Sequence, residues 1–151
     1  MNRVAVSAEG VPLPPWSERL ERYALKVMQA LGLDQWDLSV LLCDEQTIRD
    51  LNRRFRGKDE STDVLSFELG EYTGQGEDTR FLPGDIAISL KNLSENAVYF
   101  NVPEDEELRR LVVHGILHLN GDDHATNDPE QPMLRTQEKI LSELSGERIL
   151  S

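Results

Sequence analysis

The segment Glu104–Leu119 constrains the fold more than any other, because its apolar residues leave almost no side free for water. Leu108, Leu111, Val112, Ile116 and Leu119 recur at helical spacing along one face, and Val113 and Leu117 lie on another. A helix apolar most of the way round has to be buried, so the other elements must cover it. Glu104–Glu107 put negative charge at the positive end of the helix dipole. Gly121, just past the last apolar residue, can take the left-handed conformation that ends a helix.

All three histidines of the chain, His114, His118 and His124, lie in or just after this helix, spaced H-x-x-x-H-x-x-x-x-x-H. The first two sit one turn apart and can converge on one ion. After the stop at Gly121, Asp122–His124 can fold back and bring the third imidazole to the same point. A histidine pair at i, i+4 is by itself more often a hydrogen-bonded boundary pair than a metal site. With every histidine of the chain gathered around one helix stop, a metal is the better reading. Three neutral imidazoles leave the fourth position of a tetrahedral ion open, which is the mark of a catalytic rather than a structural zinc site. The ligand set therefore suggests hydrolysis.

At 151 residues the chain is expected to form a single domain, residues 1–151, able to bury roughly two-thirds of its unfolded surface. With 28 acidic and 16 basic side chains its net charge is −12, so its overall field does not draw it to nucleic acid or anionic membrane. Any polyanion must meet a local basic patch. The single cysteine, Cys43, excludes an intrachain disulfide; it reads as a packed small side chain. Met1–Gly10 lacks the layout of a signal peptide and no apolar run reaches membrane-spanning length, so a cytoplasmic location is expected.

In chain order, Arg3–Ser7 reads as a short strand. After the proline-rich turn Pro12–Pro15, Ser17 is expected to cap a helix carrying Leu20, Tyr23, Ala24, Val27 and Leu31, with Gly32 as its stop. Trp36, Leu38, Val40 and Leu42 alternate through a second strand, and Asp44 can cap a helix whose buried face holds Ile48, Leu51 and Phe55. Val64–Leu69 and Asp85–Ser89 read as strands separated by a glycine-rich acidic loop, Gly70–Arg80. Helices follow from about Lys91 to Phe100 and from about Glu130 to Leu144. These elements predict an α+β fold, a mixed sheet of about four strands covered by helices, with strand order left open.

Arg49, Arg53, Arg54, Arg56 and Lys58 gather a large share of the basic residues into one segment. Such a cluster is ordinarily a solvated helix face, but arginines around Phe55 running into Gly57 can also grip phosphate. Ser61–Asp63 reads as a turn entering a strand.

The run Asn52–Phe67 (N-R-R-F-R-G-K-D-E-S-T-D-V-L-S-F), then Gly84-Asp85-Ile86, then the histidine stretch resemble the successive motifs of the YbeY family, over most of the chain. That family's histidine motif reads H-G-x-L-H-L-x-G-Y-D-H. This chain matches it except at Asp122, where tyrosine is usual, which changes the wall of the site rather than its ligands. The resemblance implies a single-strand-specific, metal-dependent endoribonuclease acting in ribosomal RNA maturation, at the 3′ end of the small-subunit RNA, and in ribosome quality control. It further implies His114, His118 and His124 as ligands of one zinc ion per chain, Arg56 and His114 as catalytic residues, and ribosomal RNA of the small subunit as partner.

The chemistry agrees with this. Zinc lowers the pKa of bound water to about 7 and polarises a phosphoryl oxygen, while charge growing on the phosphate calls for a second cation, for which Arg56 is the candidate. Gly115 stands where H-E-x-x-H proteases carry their glutamate base, which argues against a protease. Asp123 or Asp85 could act as general base, or more readily as an acceptor orienting a ligand imidazole. Two further readings stay open: a ribosome-assembly or RNA-binding factor whose metal is mainly structural, which would unfold without metal, and a metal-dependent hydrolase of another phosphoester or amide, which would turn over small substrates without RNA.

Overall fold

The computed structural model describes residues 1–124 and 126–150. Four strands, β1 (Arg3–Glu9), β2 (Trp36–Cys43), β3 (Val64–Thr73) and β4 (Arg80–Ser89), form one open sheet in the order β1-β2-β4-β3. β1 and β4 run parallel to β2, and β3 runs antiparallel to β4, so the sheet is mixed. Five helices surround it: α1 (Ser17–Ala30), α2 (Glu45–Arg56), α3 (Leu90–Phe100), α4 (Glu104–Leu119) and α5 (Pro132–Glu143).

The main core lies between one sheet face and α1, α4 and α5. Leu38, Val40 and Leu42 of β2 alternate inward with Ile86 and Ile88 of β4 to meet Leu20, Val27, Leu108, Val112 and Ile116. α4 is the buried helix that its composition demands: Leu108, Leu111, Val112, Val113, Ile116, Leu117 and Leu119 are all inside. At about 1.5–3 kcal/mol for each fully buried aliphatic side chain, those seven contribute on the order of 10 kcal/mol before entropy is counted, so packing alone places the helix. Gly115 makes the close approach possible, since a Cβ there would stand 2.8–3.0 Å from side-chain atoms of Ile86. The opposite sheet face carries a smaller cluster, Cys43, Ile48, Leu65 and Ala87, under α2. Cys43 is a packed side chain, its thiol pushed up to about 12 by burial.

Several boundaries follow from local chemistry. The Asp44 carboxylate accepts from the Thr47 N–H at 2.9 Å and caps α2, while Gly57 closes it at φ 70°. Gly32 sits past the end of α1 at φ 72°. Ser17, however, does not cap α1: Trp16 is the N-cap, because its carbonyl already accepts the first helical bond, from the Leu20 N–H at 3.1 Å, which leaves Ser17 as the first helical residue.

Two further expectations are corrected. Gly70–Arg80 is not simply a loop: β3 and β4 continue into it as a hairpin paired from Glu71↔Leu82 to Thr73↔Arg80. An aromatic row, Trp36–Phe81 and Phe81–Tyr72 at 5.3 and 4.9 Å, ties this hairpin to the sheet, and Arg80 donates to Asp37 at 2.7 Å. Residues 71–78 are exposed, so no apolar alternation betrays it on the β3 side. Phe55 is 62 % exposed rather than buried, because it lies in the last turn of α2, where only Ile48 and Asn52 of that helix are fully covered. Among the described residues, no helix is long and apolar enough to cross a membrane.

Candidate metal centre

α4 ends at Leu119, and Gly121 (φ 92°) turns the chain back so that the Asp122 N–H bonds to the Leu117 carbonyl at 3.0 Å. That turn brings His124 against the last two turns of the helix. One potential ligand atom from each of His114, His118 and His124 lies within 4.8 Å of the others, and the Nε2 atoms of His114 and His118 are 3.0 Å apart. The group could hold a metal ion.

Hydrogen bonds to oxygens that can only accept set the tautomers. His114 Nδ1 lies 2.7 Å from Gln137 Oε1, and His124 Nδ1 lies 2.8 Å from the Thr126 carbonyl oxygen. Both Nδ1 atoms must therefore carry the proton and donate, leaving both Nε2 lone pairs for a cation. Gln137 is itself oriented, because its Nε2 donates to Glu138 at 3.1 Å and Glu138 is gripped by two nitrogens of Arg110 at 2.9 and 3.1 Å. Burial holds the His114 imidazole below its usual pKa, and burial followed by the neighbouring His114 does the same for His118. Both rings thus stay neutral at pH 7, as ligation requires.

His114 and His118 open onto a cleft of about 620 Å³ lined also by Arg56, Val64, Ser66, Glu68, Asp122 and Asp123. On the other side of His114, a hollow of about 280 Å³ is bounded by His124, Glu107 and Gln137. Arg56 reaches the cleft from the end of α2, and one of its terminal nitrogens donates to the Ser66 carbonyl at 2.7 Å. The Ser66 hydroxyl is 3.5 Å from the Gly115 carbonyl, which links the arginine's anchor to the histidine helix. The remaining N–H groups of Arg56 meet no carboxylate among the described residues.

The other three arginines of the basic segment are otherwise engaged. Arg49 pairs with Asp59 at 2.9 Å, Arg53 with Asp50 at 3.3 Å, and the Arg54 guanidinium lies 5.6 Å from the Phe55 ring centre. Neither Asp123 nor Asp85 orients a ligand imidazole: Asp123 accepts the His124 backbone N–H at 2.8 Å and lines the cleft, and Asp85 lies in a neighbouring groove. The orienting acceptors are Gln137 and the Thr126 carbonyl. Gln137 carried no sequence signal beyond its place on the last helix, and a backbone carbonyl carries none at all.

A mixed sheet packed on a buried helix carries, at that helix's end, three convergent imidazoles that could hold a metal ion, two of them sharing a cleft with an arginine. A family model described as endoribonuclease YbeY matches residues 9–145, and the chain belongs to that family. It is 52 % identical over 132 residues to the endoribonuclease YbeY of Treponema denticola, covering 87 % of this chain and 85 % of that one. With the endoribonuclease YbeY of Treponema pallidum it shares 46 % identity over 144 residues, 95 % of this chain and 90 % of the other. A solution structure of a Thermotoga maritima protein superposes with a TM-score of 0.60 at 34 % identity, covering 95 % of this chain and 90 % of that one.

Proposed function

We propose that this chain is a zinc-dependent, single-strand-specific endoribonuclease acting in the cytoplasm on ribosomal RNA, at the 3′ end of the small-subunit RNA, and in ribosome quality control. The observation that carries the reading is a cluster of three imidazoles, two of which, His114 and His118, line the same cleft as the Arg56 guanidinium. Relatives named endoribonuclease YbeY support RNA as the substrate. Three nitrogen donors with an open side suit zinc.

When bound, the ion would supply Lewis acidity toward a phosphoryl oxygen and make water a nucleophile near neutral pH. His114, His118 and His124 would hold it, with Gln137 and the Thr126 carbonyl fixing two of the rings. Arg56 meets the charge that grows on the phosphate, using N–H groups that its bond to Ser66 leaves free and orients. Asp123 faces the same space and can accept a proton there. Because the molecule as a whole is acidic, RNA binding rests on this local patch and should weaken as salt rises.

A purely structural role for the metal is disfavoured by the packing of α4, which is complete without it. The test is metal analysis of the purified protein, with cleavage of a single-stranded RNA and circular dichroism measured before and after chelation. The expected result is one zinc per chain, loss of cleavage on chelation and an unchanged helical signal. Cleavage that survives chelation, or a fold that collapses with it, would overturn the reading.

A further inference from the structure

Resting on the ribonuclease reading, we infer that the groove under the end of α2 is a stacking subsite for an unpaired base of the RNA, adjoining the cleft that receives the scissile phosphate. The groove exists because α2 covers only half of its sheet face. Ile48 and Leu51 close over the row Leu41–Ala87–Leu65, but the helix stops at Arg56 and Gly57 turns the chain away. The next cross-strand row, Ser39–Asp85–Phe67, is left as the floor of a groove of about 790 Å³.

Three observations select a nucleobase as the occupant. Arg56, Ser66 and Glu68 line both this groove and the metal cleft, so a strand with one phosphate at Arg56 passes directly from one space into the other. The Phe55 ring stands largely in solvent, its centre 5.3 Å from that of Phe67 at 61° and with the Arg54 guanidinium over it at 5.6 Å, so an exposed aromatic ring and a guanidinium are presented together. Aromatic faces set among arginines are how single-stranded nucleic acid is held without base-specific reading. The floor is polar at Ser39 and Asp85; the N–H edge of a base can satisfy these groups, whereas an apolar peptide side chain would bury them unpaired.

The test uses the full chain with metal chelated, so that binding is measured without cleavage. The affinity of a fluorescein-labelled RNA pentanucleotide is compared with versions carrying one abasic ribose at each position, for wild type, Phe55→Ala and Phe55→Tyr. Phe55→Ala should weaken the intact RNA roughly tenfold, the scale of losing one base–aromatic stack, and Phe55→Tyr should keep it. One abasic position should cost wild type the same factor and cost Phe55→Ala nothing more. The proposal is overturned if every abasic RNA binds wild type like the intact one, if the two losses simply add, or if Phe55→Ala binds RNA normally, as it would were the groove a protein-docking site. Absence of measurable binding also overturns it. Restoring metal separates the two readings: the stacking pattern without cleavage counts against the enzyme alone, and cleavage without the pattern counts against the subsite alone.

Discussion

The two ends of α4 use polar groups in opposite ways. At its first turn Asp105 is buried and saturated, accepting from the Ile149 and Leu150 N–H groups at 2.8 Å each and from Arg109 at 2.8 Å. Arg19 completes that corner by donating to the Ile149 and Leu150 carbonyls. Near the other end, His114 is anchored through Nδ1 only, and the lone pair on its Nε2 faces His118 and the cleft. A saturated group can only hold; a half-saturated one can bind. The helix is fixed where its polar groups are satisfied, and the strength of that fixing lets the far end keep lone pairs unspent at defined positions.

The largest expected effect tests the holding end. Burial alone would push the Asp105 carboxyl up, but the two backbone donors and Arg109 outweigh it and hold it below 3.8. Asp105→Ala strands Arg109 and two N–H groups and should cost about 3–5 kcal/mol in urea denaturation. The wild-type advantage should be full above the ordinary carboxylate range and fade as pH falls through the lower folded value. Metal content and turnover per folded molecule should be unchanged; a loss of turnover without a loss of stability would erase the division between the two ends.

Next comes the chemical end. Arg56→Ala should lower single-turnover RNA cleavage by roughly 10²–10³, the cost of one donor to a developing anion, while stability and metal content stay level. Arg56→Lys should recover only part, since an ammonium keeps the charge but not the two-pronged geometry. Wild-type rates in Arg56→Ala would assign this side chain to its bond with Ser66 alone.

Gln137→Leu tests the orienting contact. It removes the acceptor that fixes the His114 tautomer and should weaken zinc affinity by about 10–100-fold in competition with a chelating dye, with little change in fold. An unchanged affinity would mean that the ring is held by packing.

The smallest effect concerns Glu107, buried beside the same hollow. Burial raises its carboxyl above 4.5, and Asp63, Glu106 and Glu138 add to this against the opposing pull of Arg110. The folded state thus holds this proton more tightly than the unfolded chain, so its contribution to stability is full below about 4.5 and is lost as pH rises through the folded value. Glu107→Gln should remove that slope and be the more stable protein at pH 7. A wild type that stays ahead at pH 7 would show that the ion pair with Arg110 outweighs burial.

What could be seen in the sequence was what acts over a few residues. The cap at Asp44 spans three positions, the stop at Gly121 is a single residue, and the histidine spacing fits within one helix end. What was hidden acts across the fold. The bond from Gln137 to His114 spans 23 residues, and nothing near either residue announces it. The hairpin extension Glu71–Thr73 is held by pairing and by aromatic contacts to β2, not by its own propensity. Phe55 falls on the apolar stripe of α2, but a stripe does not tell where its cover ends. Asp85 and Asp123 had the right chemistry to orient an imidazole, yet an amide and a backbone carbonyl took that place.

Gly115 also bears on which enzymes lie within mutational reach of this one. A change from glycine to glutamate would write H-E-x-x-H into the helix, the signature of zinc proteases. Ile86, fully buried, stands where the first carbon of that side chain would have to go. Such a lineage would have to make room at Ile86 before the new base could help, so the change in chemistry depends on a second change in the core.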